Sequence, residues 1–116
     1  MTKRPWIGVD LDGTLAVYDG WRGAYHIGEP IAPMVERVRR WLDGGLCVKI
    51  FTARVDGSPE YVAEVKTAIN EWVYQHLGTQ LEITNVKDHG MTELWDDRAV
   101  QVEPNTGRRV DHRVDE

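Results

Sequence analysis

The chain has 116 residues, which suffices for one folded domain with a modest core and leaves little room for a second. Hydrophobic residues make up 41% and charged residues 28%, the mix of a soluble globular domain. No apolar run approaches the roughly 18 residues of a membrane helix, so no membrane partner is expected. Nineteen acidic residues against fourteen basic ones give a formal net charge of -5. That balance argues against stable, non-specific nucleic-acid binding but leaves room for an enzyme that takes one phosphorylated end.

Met1 to Arg4 is basic with no long apolar stretch behind it, so no secretory signal is expected and the cytoplasm is the default compartment. Trp6–Ile7–Gly8–Val9 reads as a buried strand that ends in two acids, with a turn starting at Asp12–Gly13. Residues 13–30 have no period. Gly13, Gly20, Gly23 and Gly28 stand among Tyr18, Trp21, Tyr25 and His26, the pattern of a glycine-hinged loop or small hairpin beside a site.

Ile31 to Asp43 carries Ile31, Met34, Val35, Val38, Trp41 and Leu42 at helical spacing and stops at Gly44–Gly45. Leu46 to Phe51 reads as a second buried strand. Cys47 lies within it as a buried filler, and as the sole cysteine it excludes an internal disulfide and a cysteine-cluster zinc site. Ser58 caps a second helix that has Pro59 in its first turn, Val62, Val65, Ile69 and Val73 on one face, and its end near Leu77–Gly78. Leu81 to Thr84 is a third, weaker strand. Glu93–Leu94–Trp95 is a short one leading into Asp96–Asp97, and Ala99 to Val102 a last edge strand. Asn105–Thr106–Gly107 is a turn within a polar C-terminal segment, 104–116, whose last residues are expected to fray. Strands alternating with helices predict one three-layer, Rossmann-like α/β domain with a mostly parallel sheet.

In such a sheet, ligands bind beyond the carboxyl ends of the strands. Asp10, Thr52 and Asp97 each come after a predicted strand, and Lys87 after another, so separate parts of the chain deliver chemistry to one edge. Asp10 and Asp12 are two apart and share a face if the strand continues, while Gly13 lets the chain bend. One acid can then face a phosphate and the other its leaving oxygen. Asp96–Asp97 is a second carboxylate pair. Converging carboxylates repel, a hard divalent cation relieves that repulsion, and magnesium prefers oxygen ligands with a phosphate partner. Thr52 can donate to phosphate oxygens, and Lys87 can neutralise the nucleophile and phosphate together.

The remaining candidates are weaker. Arg54 suits either a substrate phosphate or an acid, and Arg98 either the acids or the surface. His26 and Trp21 stand where they can touch substrate. Trp6, Trp41 and Trp72 read as core or its boundary, and Trp95 as packing that stiffens the acids behind it. Asp56 and Glu60 read as a loop acid and a helix-start acid. His76, His89 and His112 show no ligand spacing.

The run Val9–Asp10–Leu11–Asp12–Gly13–Thr14–Leu15 resembles the first motif of the haloacid dehalogenase-like superfamily, in its phosphatase branch. Phe51–Thr52–Ala53–Arg54 resembles the second motif, Lys87 the third, and Trp95–Asp96–Asp97–Arg98 the fourth, in matching order across residues 5–102. The resemblance implies a magnesium-dependent phosphomonoesterase. Asp10 would be the nucleophile that forms an aspartyl-phosphate, and Asp12 the general acid and base. Thr52 and Lys87 would grip the phosphoryl group. Magnesium would be held by Asp10, the carbonyl of Asp12, and Asp97, with Asp96 acting directly or through water. True dehalogenases of the superfamily lack the second acid, so Asp12 favours phosphate esters. Residues 15–30 and 53–86 are too few for a cap domain, so the resemblance implies a capless enzyme.

The fourth motif followed by Ala99–Val100–Gln101–Val102 also resembles the 3'-phosphatase domain of polynucleotide kinases, which keeps a phosphorylated nucleic-acid end beside a phosphorylated small molecule as substrate. Transfer to an acceptor other than water, a non-catalytic phosphate-binding module, and a homo-oligomer also stay open. A phosphate receiver module fits less well, because its accepting aspartate comes on a later strand than its acid pair.

Overall fold

A computed structural model of the chain describes residues 4–111. His112 and the last residues of the predicted polar segment lie outside the described residues. The elements in order are β1 (Trp6–Val9), α1 (Ala32–Asp43), β2 (Val48–Phe51), α2 (Pro59–Leu77), β3 (Ile83–Thr84) and β4 (Met91–Trp95). They form a small α/β domain around one four-stranded sheet in the order β3-β2-β1-β4, with every neighbouring pair parallel. This is a generic Rossmann-like arrangement.

Central β1 is buried at all four positions, which is why its sequence runs apolar without alternation. β2 instead alternates, with Val48 and Ile50 buried and Lys49 and Phe51 half-buried. Val9 pairs with both Ile50 and Trp95, so β1, β2 and β4 finish nearly level.

Both helices are amphipathic. α1 buries Met34, Val35 and Val38; α2 buries Val65, Ala68, Ile69, Trp72, Val73 and Leu77. Each fully buried large aliphatic chain contributes about 1.5–3 kcal/mol relative to exposure. The caps of α2 are those its sequence predicts: the Ser58 hydroxyl accepts from the Tyr61 N–H, and Gly78 closes the helix with φ 77°.

Several expectations need correction. α1 and α2 touch, as two successive crossovers that step the same way across the sheet require when they share the usual hand, so both helices lie on one face. The link from β3 to β4 carries no helix, so the described residues build two layers and not three. The second strand begins at Val48, leaving Leu46 exposed and Cys47 half-buried, so Cys47 is not a core filler. The third strand shrinks to Ile83–Thr84, and the fourth starts earlier, at Met91.

Ala99 to Val102 is not an edge strand. Val102 makes one isolated antiparallel bridge to Arg109, in a small hairpin whose turn holds Asn105 at φ 65°. Val100 and Val102 are half exposed there, too little burial to reward a fifth sheet position.

The loop predicted over 13–30 is closed at its base. The Val17 N–H donates to the Glu29 carbonyl (2.8 Å), the Ile31 N–H to the Leu15 carbonyl (2.8 Å), and Ala16 bridges Pro30. The Trp72 indole N–H donates to the Gly28 carbonyl at 3.0 Å and ties the loop to α2. Gly28 is required by close approach: a Cβ there would meet the Val17 carbonyl oxygen at 2.0 Å. Gly28→Ala is therefore expected to cost about 1–3 kcal/mol in a urea melt. An unchanged midpoint would show that the base of the loop yields freely.

Candidate active site

The level ends of β1 and β4 bring two acids side by side. Beyond Val9 and Trp95 come Asp10 and Asp96, and the Asp10 N–H donates to the Trp95 carbonyl at 2.9 Å. One oxygen from each of Asp10, Asp96 and Asp97 lies within 4.8 Å of the other two. Three hard oxygen donors at that spacing suit a small divalent cation.

Asp97 is held in place by Thr14. The Thr14 hydroxyl accepts from the Asp97 N–H at 3.0 Å and donates to the Asp97 carboxylate at 3.2 Å. Gly13 leaves the space for this: at φ 88°, its Cβ would sit 2.5 Å from the Asp97 carboxylate. Asp96 accepts from the Arg98 N–H at 2.7 Å, a turn that faces the pair toward β1. Behind them the Trp95 ring meets Trp41 edge-on at 5.2 Å and lies under the Arg37 guanidinium at 4.8 Å, so α1 braces the residue before the acids.

The electrostatics match this crowding. Asp10 is raised from the ordinary 3.8 to about 7, first by burial and then by the charge of Asp96, a hydrogen bond with Asp97, and the charges of Asp97 and Asp12. Without a cation, a raised carboxyl contributes stability that is present below the unfolded value and lost as pH rises through about 7. The metal-free protein should therefore melt higher at pH 5 than at pH 8. A cation bound by Asp10 must compete with its proton, so magnesium affinity should fall about tenfold from pH 8 to pH 6. Calorimetric titration without substrate reads that change, and a flat profile would remove Asp10 from the ligand set.

Asp12 is placed differently. Both its oxygens accept from Arg54, from Nε and Nη2, each at 2.7 Å. The side chains are 19% and 5% exposed, so the pair is largely shielded from water. Arg54 Nη2 also donates to the His26 carbonyl at 3.1 Å, and the Trp21 ring lies 4.9 Å from its Cζ. Its buried Nη1 has no hydrogen-bond partner among the described residues. Thr52 is buried, and its hydroxyl oxygen accepts from the Arg54 N–H at 3.1 Å, leaving its O–H as a donor.

These residues line one cleft of about 890 Å³. It contains the expected Asp10, Asp12, Thr52, Arg54, Asp96, Asp97, Trp21 and Tyr18. Arg98 and Asp56 line it too, the latter legible in the sequence only as a loop acid. Three expected residues are not among the lining: Lys87, His26 and Tyr25, the last 67% exposed. Lys87 is exposed two positions past Asn85, which takes the place at the cleft wall after β3. His26 contributes its carbonyl to Arg54, with its side chain outside the lining.

Sequence reasoning misses Thr14, Tyr61 and Asn85 as parts of the site. Thr14 carries a signal, a hydroxyl directly behind the Asp12–Gly13 turn. Tyr61 stands one turn before Val65 on the apolar side of α2 and packs against the core, so it reads as a packing residue and not as a cleft wall, and Asn85 has no pattern around it.

The class of molecule defined so far is a small parallel α/β domain with an acidic cleft at the carboxyl ends of its strands. No family model matches the chain, and no curated protein matches it. A solved structure from Bacteroides thetaiotaomicron, described as a conserved protein coded by a locus of that organism, superposes with a TM-score of 0.57. The match covers 84% of this chain and 79% of the other at 22% identity, a likeness of fold alone. Among the described residues, no helix is long and apolar enough to cross a membrane.

Proposed function

We propose that this chain is a capless, magnesium-dependent phosphomonoesterase of the haloacid dehalogenase-like kind. The observation that carries the reading is the meeting of Asp10, Asp96 and Asp97 at adjoining strand ends, with Asp12 two residues from the first and Thr52 just past the end of neighbouring β2. The donor set fits magnesium, since all three are hard oxygens and Asp10 is raised first by burial and then by neighbouring charges, a repulsion that a cation relieves. When bound, the cation supplies charge neutralisation for an anionic nucleophile approaching a phosphate dianion.

Each residue has its own part in the reaction. An Asp10 oxygen attacks phosphorus, the bond from phosphorus to the ester oxygen breaks, and Asp12 delivers a proton to the departing alkoxide. Water then attacks the aspartyl-phosphate, Asp12 takes its proton, and the Asp10–phosphorus bond breaks to release orthophosphate. The Thr52 hydroxyl and Arg98 hold the equatorial oxygens. Lys87, exposed two residues past Asn85, is the remaining candidate cation for that grip.

Release of orthophosphate from phosphate monoesters, measured with magnesium and again after chelation, tests the reading. Metal-dependent release that saturates with ester supports it. No release from any of a set of sugar phosphates, nucleotides and 3'- or 5'-phosphorylated oligonucleotides sinks it.

A further inference from the structure

We propose that the cleft selects small phosphate esters whose leaving group carries a flat aromatic ring, nucleoside monophosphates being the chemistry that fits, and that Trp21 is the stacking platform. The inference rests on the phosphomonoesterase reading and adds a substrate class to it.

Trp21 and Tyr18 both line the cleft, and they are 52% and 48% exposed. A half-exposed indole on the cleft wall leaves apolar area in water that a planar ligand would cover. An exposed ring on a loop is ordinarily a poor platform, because ordering it on binding costs entropy. This ring lies over a guanidinium that is itself fixed by two bonds to Asp12 and one to the His26 carbonyl. Cation–π contact and that anchored base set the indole's position before any ligand arrives.

The location comes from the same contacts. In the proposed reaction Asp12 faces the leaving oxygen, and the same Arg54 side chain touches both Asp12 and the indole. A ring one sugar away from the phosphate therefore reaches Trp21, whereas a bare phosphate group would leave most of the 890 Å³ cleft empty.

Charge sets the size of the substrate. Five carboxylates (Asp10, Asp12, Asp56, Asp96 and Asp97) face two guanidiniums (Arg54 and Arg98) in the lining. Even a bound divalent cation leaves no positive excess to hold a strand that carries one negative charge per phosphate. Stacking, which is uncharged, works in such a lining.

The test compares adenosine 5'-monophosphate with ribose 5-phosphate, which share the phosphate and sugar and differ by the base. With magnesium, kcat/KM should favour the nucleotide by about tenfold or more. Trp21→Ala should bring that ratio toward one, and Trp21→Phe should keep most of it. The Trp21 indole N–H resonance, identified by its loss in Trp21→Phe, should shift in the parent on adding the nucleotide and stay in place with ribose 5-phosphate.

A ratio near one in the parent, or a ratio that Trp21→Ala leaves unaltered, overturns the proposal. So does a phosphorylated oligonucleotide preferred over the mononucleotide. If neither ester is cleaved yet the indole resonance still moves, the stacking site stands and the phosphatase reading falls. If both are cleaved equally and the resonance is still, the reverse holds.

Discussion

Asp10→Asn is expected to lower phosphate-ester turnover by about 10⁴-fold or more while leaving the fold intact. An amide cannot act as the attacking carboxylate, and loss of a nucleophile removes the covalent route altogether. The same change removes one oxygen donor from a set of three, so magnesium binding should weaken as well. Stability should move the other way in the metal-free protein at pH 8. There the ionised Asp10 sits part-buried beside Asp96, Asp97 and Asp12, and a neutral amide relieves that repulsion. A lower activity with a higher melting temperature is a signature that simple misfolding cannot produce. Steady-state release of orthophosphate and thermal melts with and without magnesium read both halves. Turnover within a few-fold of the parent would remove Asp10 from the nucleophile's place.

The second large effect belongs to Asp12. Asp12→Asn should slow both formation and breakdown of the covalent intermediate by about 10²–10⁴-fold, since in the proposed reaction one group serves as acid and then as base. It should also destabilise the fold by about 2–3 kcal/mol. Arg54 is 5% exposed, and an asparagine can accept from it with its oxygen alone, turning N–H groups toward N–H groups at the other position. Rapid-quench kinetics and urea melts separate the two consequences. Unchanged single-turnover and steady-state rates would refute the acid–base role.

The bidentate pair also constrains the mechanism. Each Asp12 oxygen accepts one bond from Arg54 and keeps a second lone pair for a proton, but an oxygen that holds a proton accepts more weakly and loosens its bond to Arg54. A phosphate dianion entering beside Arg54 supplies an acceptor for the donor so released. The buried Nη1, which has no partner among the described residues, is a second donor on the same guanidinium. Arg54 thus belongs to the acid in the resting protein, a choice between acid and substrate that its place in the sequence leaves open.

The amino-acid sequence by itself determined the elements whose physics is local. The apolar run before Asp10, the helical spacing of Met34, Val35 and Val38, and the Ser58–Pro59 start and Gly78 stop of α2 each act through near neighbours. The placement of acids at strand ends was legible for the same reason, because a strand that ends in a carboxylate must present it at the sheet edge. Tertiary structure alone decided which groups meet. Register brought Asp10 beside Asp96, and the fold set Thr14 against Asp97 across 83 positions and Arg54 against Asp12 across 42. Burial denied Ala99–Val102 a place in the sheet and left Cys47 half out of the core. The path after Thr84 set Asn85 at the cleft wall and carried Lys87 past it. Those outcomes depend on contacts between distant parts of the chain, whose strength no local pattern records.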